Sequence, residues 1–147
     1  MIRAVSKEQI AYAAGLIDGE GCVTVYNLPG DRGIIAKVQV NLTMSAPLIK
    51  LQEWFGGDLC VCDPTHGQKK LQWAWRIQGK IPVTEFLNAI FPYLLIKQEQ
   101  ALLVLLACST ITKKGNFSSG RAVISEEIIQ VRKDLVEECK LQKRMNA

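Results

Sequence analysis

Residues 13–21 read AAGLIDGEG, so nine positions hold the glycines Gly15, Gly19 and Gly21 and the carboxylates Asp18 and Glu20. The stretch closes a helical pattern. Ser6 followed by Gln9 has the spacing of a capping box, and Ile10, Ala14 and Ile17 recur on one helical face. On that helix Ala11, Gly15 and Gly19 fall four residues apart and form a stripe with almost no side chain. Such a stripe lets a second helix approach until the backbones nearly touch. Glycine inside a helix costs roughly 1 kcal/mol against alanine, so Gly15 wants a compensating contact. No other segment repeats the stripe, which makes a second copy of the chain, related by a two-fold axis, the economical partner. The plainer reading is that the glycines end the helix and turn the chain into a strand, which suits Gly21 better than Gly15.

The same symmetry would gather the carboxylates. Two crossed copies place Asp18 and Glu20 of each chain beside those of the other, where they repel unless a cation sits among them. Oxygen ligands with waters suit Mg²⁺. Paired metal sites near a two-fold axis are one device for cutting two related phosphodiester bonds. Asp18 reads better as an acceptor for neighbouring backbone or a helix end, and Glu20 as the ligand.

Outward from this stretch the periodicity gives an order of elements. CVTVYNL (22–28) and IIAKVQVNLT (34–43) are β-rich, and in the second Ala36, Val38, Val40 and Leu42 alternate with Lys37, Gln39 and Asn41. APLIKLQEWFGG (46–57) reads as a short helix with Pro47 in its first turn and Gly56-Gly57 at its end. DLCVCD (58–63) and KKLQWAWRIQG (69–79) read as two further strands, with Trp73, Trp75 and Ile77 on the core side, opposite Lys70, Gln72 and Arg76. Three helical segments follow, at 81–94, 97–111 and 125–143, the last two separated by the polar, basic stretch TKKGNFSSGR. The expected architecture is αββαββ plus helices in one α+β domain: two hairpins joined into an antiparallel sheet, one face under helices and the other wet.

Composition narrows the function. The 147 residues are 48% hydrophobic, enough for one domain with its own core. No apolar run is long enough to cross a bilayer, and MIRAVSKEQI lacks the apolar stretch of a secretory signal, so a soluble intracellular protein is expected. Five scattered cysteines make no disulfide framework; Cys60 and Cys62 are expected to pack as small hydrophobes on one strand face. The single histidine, His66, lies in a polar loop and gives little basis for nucleophilic catalysis. A net charge of +4 favours an anionic partner.

AAGLIDGEG resembles the signature of the LAGLIDADG homing endonucleases, with Ala13 for the first leucine and Gly-Glu for Ala-Asp. The element order and the segment FPYLLIKQEQALLVL (91–105) extend the resemblance over most of the chain, from about Ser6 to about Leu106. It implies the αββαββα fold in a single domain over residues 1–147, with a curved four-stranded sheet whose free face enters the major groove of double-stranded DNA. One copy of the motif implies the homodimeric branch, with Ala11, Gly15, Asp18 and Gly19 at the interface. It further implies Glu20 as the acid binding Mg²⁺, the Gly19 carbonyl as a further ligand, and Lys97 as the basic residue near the scissile phosphate. A polar position that orders active-site water falls at Met44, so that either Asn41, Thr43 or Ser45 substitutes or cleavage is slower.

The wet face then supplies Thr24, Tyr26, Lys37, Gln39, Asn41, Lys70, Gln72 and Arg76, side-chain types that match base edges, and Lys113, Lys114 and Arg121 would meet phosphates. The leading expectation is a Mg²⁺-dependent endonuclease making a staggered double-strand cut in a long pseudo-palindromic site, with no membrane and no small-molecule substrate. The alternative is a non-cleaving binder on the same fold, an intron-RNA maturase or a DNA-binding regulator. A module that merely dimerises fits the polar sheet face less well.

Overall fold

A computed structural model describes residues 4–62, 70–111 and 126–145. Helix α1 (Lys7–Glu20) begins with the expected capping box. The Gln9 amide N–H donates to Ser6 Oγ at 3.2 Å, and the Ser6 N–H donates to Gln9 Oε1 at 3.0 Å. Its ladder ends where the Gly21 N–H reaches the Ile17 carbonyl, and the chain turns directly into β1 (Gly21–Asn27). Only glycine fits at this corner, because a Cβ on Gly21 would lie 2.7 Å from Ile17 Cα and 2.8 Å from its carbonyl oxygen.

Strand β1 pairs antiparallel with β2 (Ile34–Leu42), α2 (Ala46–Phe55) crosses to β3 (Asp58–Cys62), and β3 pairs with β4 (Gln72–Gln78). The hairpins join through β2 and β4, giving the order β1-β2-β4-β3. Pro47 sits in the first turn of α2, and Gly56 and Gly57 follow it with φ of 75° and 95°, a region that favours glycine. Three more helices close the chain: α3 (Lys80–Ile90), α4 (Gln98–Ser109) and α5 (Glu126–Met145). A 3₁₀ turn at Phe91–Tyr93 ends the apolar run that the sequence presents as one helix.

One sheet face carries the core. Val23, Val25, Ala36, Val38, Val40, Trp75 and Ile77 are buried against Ala13, Ala14 and Ile17 of α1, Leu48 and Leu51 of α2, and the inner sides of α3 and α4. Trp75 packs on Phe86, which meets Phe55 edge-on at 4.9 Å between ring centres. The Trp75 indole N–H donates to the Gly56 carbonyl at 2.8 Å, which satisfies its one polar atom. Trp73 is half-buried and packs at the edge of this core. Arg132 of α5 locks the last two helices by donating to the hydroxyl and carbonyl of Thr110.

Cys60 and Cys62 correct one expectation. They share a face, but it is the polar one: Cys60 is exposed and Cys62 half-buried. Leu59 is the β3 side chain that packs against the core, so the strand's single inward apolar contact set its register, not the thiols. Lys70 also falls outside β4, in the exposed bend before it.

Candidate functional site

The C-terminal end of α1 is built by a contact across 77 to 79 residues of sequence. Asp18 Oδ2 accepts the Leu95 N–H at 2.8 Å, and Oδ1 accepts those of Ile96 and Lys97 at 3.1 and 3.0 Å. Three successive N–H groups in the segment leading into α4, the last of them that of its N-cap Lys97, thus converge on one carboxylate near the positive end of that helix. This is the backbone-acceptor role read for Asp18. The carboxylate is turned into its own chain.

The clamp fixes Lys97, whose Nζ donates to the Ile17 carbonyl at 2.7 Å and the Asp18 carbonyl at 3.1 Å. The Ile17 carbonyl also accepts the Gly21 N–H, so the amine shares it as a second donor, and both acceptors belong to the last turn of α1, where helix carbonyls look for partners beyond the helix. Burial pulls the amine below the ordinary lysine pKa, opposed first by the charge of Asp18 and also by that of Glu20. Lys143, near the end of α5, pushes in the same direction as burial, which brings a further cation to this end of the molecule. Gly19 and Glu20 are exposed, and the Glu20 carboxylate is near enough for its charge to act on the lysine.

Among the described residues no group of three or more Asp, Glu, His or Cys side chains could hold a metal. One chain offers a single carboxylate, Glu20, with the Gly19 carbonyl. Both are hard oxygen donors of the kind Mg²⁺ takes, and they leave most of an octahedral set to water, phosphate oxygens or a second copy. The residues fit the ion as a partial, open set.

The stripe of Ala11, Gly15 and Gly19 is exposed, and a Cβ on Gly15 or Gly19 would meet nothing within 4 Å. Packing within the chain therefore accounts for Gly21 but not for these two.

The polar sheet face is a grid set by register. Cys22, Gln39, Arg76 and Asp58 form one cross-strand row, Thr24, Lys37 and Gln78 another, and Asn41, Ala74 and Cys60 a third. Thr24, Tyr26, Lys37, Gln39, Asn41, Gln72 and Arg76 all share this face, as the alternation implied. Some are coupled: Gln39 Nε2 donates to Asn41 Oδ1 at 2.8 Å, and Lys37 Nζ lies 5.9 Å from the centre of the Tyr26 ring. Lys113, Lys114, Arg121 and His66 lie outside the described residues. Reading strands singly missed Asp58 and Gln78, because only pairing shows which residues of β3 and β4 stand beside Arg76 and Lys37.

No protein-family model matches the sequence, and no curated protein sequence does. Solved structures do match. The homing endonuclease I-CvuI in complex with DNA superposes with a TM-score of 0.72 at 19% identity, over 92% of this chain and 82% of that one. The LAGLIDADG meganuclease I-AabMI bound to uncleaved DNA gives 0.63 at 21% identity, over 86% of this chain but 43% of that one. The archaeal intron-encoded homing endonuclease I-Vdi141I complexed with DNA gives 0.58 at 14% identity, over 91% and 98%. The chain carries the LAGLIDADG homing-endonuclease fold.

Proposed function

We propose that this chain is a site-specific DNA endonuclease of the single-motif, homodimeric LAGLIDADG kind. It dimerises on a long pseudo-palindromic site and makes a Mg²⁺-dependent staggered cut. The observation that carries the reading is the juxtaposition at the end of α1: the exposed Glu20 carboxylate beside Lys97, whose amine is held in place by two helix carbonyls. The polar grid supports a major-groove surface, because amide and guanidinium side chains match the donor and acceptor pattern of base edges. The open stripe of Ala11, Gly15 and Gly19 supports pairing with a second copy. Localisation follows from the substrate, since such an enzyme works where the DNA of its host lies. Among the described residues no helix is long and apolar enough to cross a membrane.

Glu20 and the Gly19 carbonyl would hold the ion, and the I-CvuI complexes were solved with Mg or Ca. When bound, Mg²⁺ neutralises charge on the phosphate and lowers the pKa of a coordinated water. Lys97 spends two donors on the carbonyls of Ile17 and Asp18, which leaves its third N–H to stabilise charge developing on the phosphate. Asp18 holds that amine in position through the backbone of residues 95–97.

Met44 favours a second reading, a non-cleaving nucleic-acid binder. It is 68% exposed and its thioether cannot order water as an amide does. A supercoiled plasmid carrying a selected target site separates the two. Linearisation that requires Mg²⁺ is expected, and retained binding without cutting at any metal concentration would establish the binder instead.

A further inference from the structure

We infer that Asp58, an anion on the face that meets DNA, is a positioning residue that makes Arg76 a selective reader of guanine. The inference rests on the DNA-binding reading above and concerns a residue that reading does not use.

Asp58 and Arg76 are direct cross-strand partners, and Asp58 Oδ2 lies 4.0 Å from Arg76 Nε. Cross-strand neighbours of opposite charge attract. The backbone beneath them is fixed from both sides. A Cβ on Gly57 would lie 2.7 Å from the Arg76 carbonyl, so β3 begins pressed against β4 at this residue. The Gly56 carbonyl is held by the buried Trp75 indole, and the Gly57 carbonyl by Gln52 Nε2 at 3.2 Å. Asp58 is the next residue, so its backbone stands where the clamp puts it, while its side chain is 79% exposed.

Which atom the carboxylate faces decides the consequence. A guanidinium binds guanine best with two parallel N–H groups, to O6 and N7. With the anion on the Nε side, the two Nη groups form the guanidinium edge turned away from it, and the Arg76 side chain as a whole is 47% exposed. A free arginine spreads over many rotamers and must lose that freedom on binding, whereas a carboxylate 4.0 Å from Nε, an ion pair beyond hydrogen-bond distance, biases those rotamers before DNA arrives. An unpaired aspartate at this place would instead repel phosphate and lower affinity for every sequence. Gln39 stands on the other side of Arg76 and carries no charge, so it offers the guanidinium no competing anion.

The test is a binding profile for every single base-pair change across the preferred site, measured with Ca²⁺ to prevent cutting, for the parent, D58A, R76A and the double variant. In the parent, one position in each half-site should prefer G·C. R76A should flatten that preference by roughly ten- to a hundredfold. D58A should flatten the same position by about tenfold and leave the others unchanged, while its affinity for unrelated DNA rises. The double variant should discriminate no worse there than R76A alone, a non-additivity that a structural defect would not produce. If D58A left that position intact, or flattened a different one, the positioning role would be overturned while DNA reading by Arg76 stood. Failure of the parent to prefer any sequence would overturn both.

Discussion

The end of α1 and the polar face of the sheet are both charged and both exposed in part, yet they are built on opposite plans. At the end of α1 the polar groups are committed to partners in their own chain: the Asp18 carboxylate to three N–H groups and the Lys97 amine to two carbonyls. On the sheet, among the described residues, the side-chain contacts run to lateral neighbours: Gln39 to Asn41, Lys37 to Tyr26 and Asp58 to Arg76. Substitution at the first region should therefore change folding and chemistry together. At the second it should change recognition while leaving the fold alone.

The sharpest way to break this contrast is Glu20→Gln, which keeps the shape of the one exposed carboxylate at the committed end but removes its charge. Cleavage should be lost while DNA binding persists; cutting at the parental rate in a Mg²⁺ titration would remove Glu20 from the site.

Gly21→Ala should cost about 2–3 kcal/mol in denaturant unfolding, because the new methyl overlaps backbone that cannot move aside. Gly15→Leu provides the contrast within the same helix. With nothing within 4 Å it should not destabilise the protomer, and helix propensity even favours it by up to about 1 kcal/mol. It should nonetheless turn a dimer into a monomer by light scattering. Asp18→Ala removes the acceptor from three N–H groups and should cost about 2 kcal/mol, with Lys97 losing its place as well.

Lys97 also gives the committed end a pH signature. Its pKa is lowered in the folded state, so folding opposes its protonation. The resulting penalty is full below the lowered pKa and disappears as pH rises toward the unfolded value. Stability of the parent relative to Lys97→Met should therefore climb through that alkaline interval; a flat difference would mean that burial does not act on this amine. The smallest effect belongs to the sheet. Gln39→Ala should leave unfolding within about 0.5 kcal/mol of the parent and alter binding only, through the release of Asn41.

Much of this was legible in the chain itself. The capping box at Ser6, the 3.6-residue spacing of Ile10, Ala14 and Ile17, and the strict alternation from Ala36 to Asn41 are local signals. Each depends on residues within one turn or one strand, so α1 and β2 could be read directly. AAGLIDGEG likewise announced that both glycine and carboxylate were concentrated at one place. The interior place of Gly15 and the terminal place of Gly21 already set the two apart; the physical reason is tertiary, since Gly21 is demanded by Ile17 four residues back as the chain turns into β1, while Gly15 faces open space. Cys60, Cys62 and Asp58 were misread or missed for a related reason. A short edge strand with one inward apolar residue has too weak a pattern to fix its own register, which pairing with β4 supplies. The union of Asp18 with the backbone of residues 95–97 is likewise a tertiary fact. A carboxylate recruits whichever N–H groups folding brings to it, and here they come from nearly eighty positions away.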